Sequence, residues 1–196
     1  MALRMHVERQ GFRLDLEMAW GKRQNRGCEG FSLIELLIVI AIILIIAAIA
    51  IPNLMRARIA ANESSAASAV RSITVAETAY YSAYPLIGYA VQLQDLGKTS
   101  PCVPAPTTAC LLDNNLANAI PGSTGHSGYQ FLATGVDPGG VGMNTTYVTG
   151  GTPMTAGTTG TRDFCAMADG ILRAQPTAGG VPPSTLAPCL AYPTLM

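Results

Sequence analysis

The chain has 196 residues, is 49% hydrophobic and only 12% charged, and balances 12 basic against 12 acidic side chains. That length accommodates one domain plus a membrane segment. So thin a positive charge argues against nucleic-acid binding, which leans on dense Lys and Arg, and two histidines leave little material for acid–base catalysis.

Residues 1–30 hold six basic and four acidic residues, a net +2, with Lys22, Arg23 and Arg26 gathered just before an apolar run. That run is the most informative stretch of the chain. From Leu36 to Ile51 there are 16 consecutive apolar residues, and counting from Phe31 the stretch is 21 residues. At 1.5 Å per residue this is about 31 Å of helix, enough to cross a bilayer. The Lys/Arg cluster keeps the preceding residues on the cytoplasmic side and sends everything after Ile51 across. One carboxylate, Glu35, sits near the start of the run. An acid retained in a membrane helix wants a cationic partner.

Gly30-Phe31-Ser32-Leu33-Ile34-Glu35, followed by Leu36-Leu37-Ile38-Val39-Ile40, resembles the prepilin cleavage and methylation motif of bacterial type IV pilins and pseudopilins. The likeness is gapless through Pro52 and looser to Tyr84, so it covers about a quarter of the chain in all. It implies that residues 1–30 are a cytoplasmic leader cut after Gly30 by a prepilin peptidase. Phe31 would become the N-methylated first residue of the mature chain. Glu35 would meet the terminal amine of a neighbouring subunit during assembly. Glycine before the cut suits a peptidase that draws extended backbone into its site. Pairing of two buried charges acts as a register device. Many such proteins also carry a glycine upstream of the helix proline; here Ile43 to Ala48 has none.

Pro52 ends the apolar run, but residues 53–84 still read as helix. Ala66, Val70, Ile73, Ala76 (or Glu77 on the neighbouring face), Tyr80 and Tyr84 recur every three or four residues. The expectation is one long helix from Phe31 to Tyr84, bent near Pro52 and stopped by Tyr84-Pro85.

Residues 85–196 predict a small head. A loop-like segment extends to 127, with a short helix at Leu111–Ala119. Strands are expected at Tyr129–Ala133, Thr145–Thr149, Arg162–Ala168 and Ile171–Arg173. Gly139-Gly140, Gly150-Gly151 and Asp169-Gly170 read as the turns between them, the last as a two-residue hairpin turn. Gly179 to Pro188 reads as irregular. The fold class is α+β: a long N-terminal helix, membrane-spanning in its first half and amphipathic in its second, packed on a small antiparallel sheet.

Cys28 falls in the leader, which leaves Cys102, Cys110, Cys165 and Cys189 in the exported part. An even count there reads as two disulfides. Of three pairings, Cys102–Cys110 and Cys165–Cys189 close the local loops. Zinc is disfavoured, since no pair has C-x-x-C spacing and His126 stands alone. Asp137, Asp163 and Asp169 could line a cation site, but each reads more simply as a turn or strand-edge carboxylate. Tyr80, Tyr81, Tyr84 and Tyr89 read as packing between helix and head. No metal, cofactor or catalytic residue is expected.

The resemblance therefore implies a structural pilin that polymerises with itself into a helical filament. It would wait in the inner membrane, be handled by the pilus or secretion assembly machinery, and end in an extracellular filament. A type II secretion pseudopilin is the first alternative. A minor pilin acting as an adhesive tip module, through the loops at 97–127 and 174–196, is the second.

Overall fold

The computed structural model describes residues 31–177 and 179–194. The proposed leader, with Lys22, Arg23, Arg26, Cys28 and Gly30, lies outside the described residues. The chain divides into two units at the Ile43–Leu44 boundary, which falls within the sequence of the long helix α1, Leu33–Ala83.

In the first unit the described chain is the start of α1. The apolar window that opens this helix is long and hydrophobic enough to cross a membrane, and none of it is buried against protein. Its Ile and Leu side chains are exposed on the isolated chain. Such a surface requires lipid or other apolar helices around it.

In the second unit α1 changes character because its sequence does. Ala-rich composition sustains the helix, and a stripe of Glu63, Ala66, Ala69, Val70, Ile73, Ala76, Glu77 and Tyr80 is buried. That three-and-four spacing lines one face. Pro52 lies inside the helix. The last helical bond runs from the Tyr84 N–H to the Tyr80 carbonyl, 2.9 Å, and Pro85 stops further winding.

Four antiparallel strands follow, β1 (Tyr129–Val136), β2 (Thr146–Pro153), β3 (Arg162–Met167) and β4 (Arg173–Pro176), in that spatial order. Alternation sorts their side chains between two faces. Tyr129, Phe131, Ala133, Phe164, Ala166 and Ala174 join Ala66, Val70 and Ile73 of α1 in the main core. On the opposite face Val148, Cys165 and Met167 pack with Cys189 and Tyr192 of the C-terminal tail. The sheet is thus covered on both sides, and β2 is buried along nearly its whole length.

Several expectations need correction. Gly150-Gly151 is not a turn: both glycines lie inside β2, where Gly150 pairs with Cys165 and Gly151 with Phe131. A Cβ on Gly150 would fall 2.5 Å from the Pro183 carbonyl oxygen, and one on Gly151 would fall 2.8 Å from the Phe131 ring. Glycine is required there because the tail presses on one face and the core on the other. The last strand starts later than expected, at Arg173 rather than Ile171. A turn closed by the Gly170 N–H on the Met167 carbonyl, 2.9 Å, begins a longer connection than a two-residue hairpin turn. Finally, the end of the region expected to be irregular, from Leu186, is wound into a short helix, α3 (Leu186–Leu190), that buries Cys189.

Between α1 and β1 the chain forms one turn of 3₁₀ helix at Leu93–Leu96 and a four-residue helix, α2 (Asn114–Ala117), shorter than the Leu111–Ala119 expected. Asp113 caps α2 by accepting from the Asn115 N–H at 3.0 Å.

Candidate functional site: the first turn of the apolar helix

Ser32 immediately precedes the helix and Glu35 is its third residue. The Ser32 N–H donates to Glu35 Oε2 at 2.9 Å, and the Leu36 N–H donates to the Ser32 carbonyl at 3.2 Å. This is the returning half of a capping box, in which an acid at the third position satisfies an orphan donor at the helix start. Ser-x-x-Glu was readable in the sequence as such a signal. The helix dipole also favours a negative group there. The bond turns the carboxylate back toward the N-terminal end of the helix. Phe31 stands beside that end, 81% exposed.

The structure puts the cysteine Cα atoms 6.3 Å apart for Cys102 and Cys110, and 5.8 Å apart for Cys165 and Cys189. Both distances lie within the roughly 4.4–6.8 Å that disulfides span. Cys102 and Cys110 bracket a loop of the 85–127 segment. Cys165 on β3 and Cys189 on α3 sit on the tail-covered face of the sheet.

The three aspartates considered for a cation are held separately. Asp137 accepts from the Gly142 N–H at 2.7 Å. Asp163 accepts from the Thr152 hydroxyl at 2.5 Å on the tail-covered face. Asp169 pairs with Arg173 at 2.5 Å. The hydrogen bond from Arg173 does most to hold the Asp169 carboxyl below its usual range. Among the described residues, no three or more His, Cys, Asp or Glu side chains are grouped to hold a metal ion. The tyrosines pack as rings: Tyr80 with Tyr84 at the end of the helix at 4.8 Å, Tyr81 of the helix with Tyr89 of the head at 4.8 Å, and Tyr89 with Tyr147 of β2 at 4.7 Å between centroids.

Two carboxylates matter more than the sequence suggested. Glu63 is buried at the joint between α1 and β3. Its Oε1 accepts from the Thr161 N–H at 2.8 Å and the Thr161 hydroxyl at 2.6 Å, while Oε2 meets Arg162 Nε and Nη2, each at 2.8 Å. Burial pushes this carboxyl up, but the Thr161 and Arg162 donors outweigh it and hold it below the ordinary value. Glu77, assigned from sequence to the face beside the stripe, belongs to the stripe and is fully buried. The readable signal was their spacing: 14 residues is close to four helical turns, so both acids share the core-facing side.

Comparison with known proteins bears on the N-terminal segment. A family model described as the prokaryotic N-terminal methylation motif matches residues 25–51. The type IV wide pilus major component PilA4 of Thermus thermophilus is 64% identical over 39 residues. That match covers 20% of this chain and 30% of the relative. No solved structure matches the chain. The chain thus carries the prokaryotic N-terminal methylation motif at the start of its apolar helix, in a segment similar to that of a type IV pilin, on an α+β architecture.

Proposed function

We propose that the chain is the precursor of a structural subunit that polymerises into a type IV pilus-like filament. The observation that carries this is the Glu35 carboxylate, turned toward the start of the apolar helix by its bond to the Ser32 N–H. A cut between Gly30 and Phe31 would create a positive amine at that same end. Among the described residues the donor to Glu35 is the neutral Ser32 N–H, which compensates a carboxylate poorly in an apolar surrounding. An amine brought by an adjoining copy would neutralise it, and only at one axial offset between helices. The 16-residue aliphatic run would supply the cohesion and Glu35 the register.

Before assembly the same run would hold the precursor in the inner membrane, with residues 1–30 inside and the head exported. Export to an oxidising compartment suits the two cysteine pairs, which we assign as disulfides Cys102–Cys110 and Cys165–Cys189. The relative's role, major component of a wide pilus, is the role proposed for this chain. Prepilin peptidase and the pilus assembly machinery are the corresponding partners.

The test is Glu35→Ala in the producing cell. Filament yield should fall sharply while the membrane fraction still contains the subunit; filaments in normal number would overturn the proposed role of Glu35.

A further inference from the structure

The Glu77 side chain lies in the head, beneath the segment that leaves α1, with no accessible surface. Its Oε2 accepts from the Ala90 N–H at 3.0 Å. Its Oε1 is buried without a hydrogen-bond partner. Among the described residues, the groups that face it are neutral or acidic. Tyr80 comes from α1 itself, Tyr89 from the overlying segment, Asp95 from the 3₁₀ turn and Tyr147 from β2, with Asp169 beyond Tyr147. The cations of the head are engaged or exposed: Arg162 with Glu63, Arg173 with Asp169, Lys98 with Asp113 at the surface, and Arg71 exposed. A charged oxygen buried without a partner is far more costly than a neutral hydroxyl in the same place.

We propose that Glu77 is a proton-operated latch: as a neutral acid it holds the stretch from Tyr84 to Gln92 against α1, and its ionisation releases that stretch. The far end of the overlying chain is held separately, by the Ala109, Leu111 and Leu112 N–H groups on the Asp95 and Leu96 carbonyls, and two clasps fasten the stretch before it. On one side the Tyr89 N–H donates to the Asn144 carbonyl at 3.0 Å, and the Asn144 side-chain amide donates to the Tyr89 carbonyl at 2.9 Å. On the other side Glu77 takes the Ala90 N–H. The Asn144 clasp carries no titratable group, so pH acts on the Glu77 side alone. Opening would bring water to the carboxylate and unstack Tyr89 from Tyr81 and Tyr147.

The direction of the pH effect follows from linkage. Burial pushes the Glu77 carboxyl up from 4.5 to about 8, against the pull of the Ala90 N–H and with added push from Asp95. The closed state therefore holds a proton that the open state releases. The latch is at full strength below about pH 4.5 and is lost as pH rises through about 8. Glu63, Asp137 and Asp169 have lowered values and act in the opposite sense, in acid, so their window does not overlap.

The test uses the full chain in detergent micelles. Hydrogen-exchange protection of residues 85–92, corrected for intrinsic exchange, is followed from about pH 6 to 9. The wild-type chain should lose protection by up to about tenfold per pH unit and level off beyond pH 8. Glu77→Gln, a neutral isostere, should stay flat across the range. Asp95→Asn should bring the levelling point to lower pH. Infrared spectra of the wild-type chain should show a protonated carboxyl at neutral pH that disappears near pH 8, a readout that holds whether or not either variant folds. Flat wild-type protection, an unchanged slope in a folded Glu77→Gln, or no protonated carboxyl at neutral pH would each overturn the latch.

Discussion

Removing the Glu63 carboxylate by Glu63→Ala should loosen the joint between α1 and the start of β3. Four donor contacts, at 2.8, 2.6, 2.8 and 2.8 Å, end on its two oxygens. Hydrogen bonds to a charged group contribute about 1.5–3 kcal/mol each before their partners are rehydrated. Here rehydration is available: the Arg162 side chain is 46% exposed, and Thr161 is exposed. The net loss should therefore be about 2–3 kcal/mol, below the about 3–5 kcal/mol seen when a wholly buried pair is broken. For a chain of this size that is roughly 5–10 °C in Tm, measured by thermal denaturation of the full chain in detergent near neutral pH. Linkage adds a second arm. A lowered carboxyl stabilises above its unfolded value of 4.5 and ceases to do so as pH falls through its depressed range. The gap between wild type and variant should close in acid. A neutral-pH loss below about 0.5 kcal/mol, the ordinary size of a surface substitution, or a gap of equal size in acid, would refute this reasoning.

Gly150→Ala should destabilise the head by about 1–3 kcal/mol, because its new methyl group meets the Pro183 backbone rather than a yielding side chain; a melt unchanged from wild type would count against the tail's close approach. Reduction should lower stability more at Cys165–Cys189, whose members are 24 residues apart, than at Cys102–Cys110, 8 apart. Loop-closure entropy gives about 3.5 against about 2.6 kcal/mol, and serine variants of each pair, melted separately, check the order. Gly30 replaced by a bulky residue should leave a precursor longer by its first 30 residues, visible by intact mass.

The parts of the fold that were legible are those where one period dominates. Sixteen aliphatics in a row admit only a helix that seeks an apolar surrounding, and the Ala66–Tyr80 stripe declares which side of the second half is buried. The alternating Tyr129 and Phe131 announce β1. Where two surfaces compete for the same residues, local signals mislead. Gly150-Gly151 carries the chemistry of a turn but serves close packing on both faces of β2. Glu77 carries the polarity of a solvated face but sits under an overlying segment that sequence periodicity does not register. The start of α3, Thr185-Leu186, has no side-chain cap, so nothing local announces that helix. Of the candidate site, the Gly-Phe-x-x-x-Glu pattern was plain; the Ser32–Glu35 contact needed the capping signature to be read across it.

The central claim is that this chain is processed at the start of its apolar helix and then polymerises. Intact mass and N-terminal sequence of the subunit in filaments sheared from producing cells test it most directly. The account predicts a chain beginning at N-methylated Phe31. A filament subunit that retains residues 1–30, or sheared material that lacks this chain altogether, would contradict it.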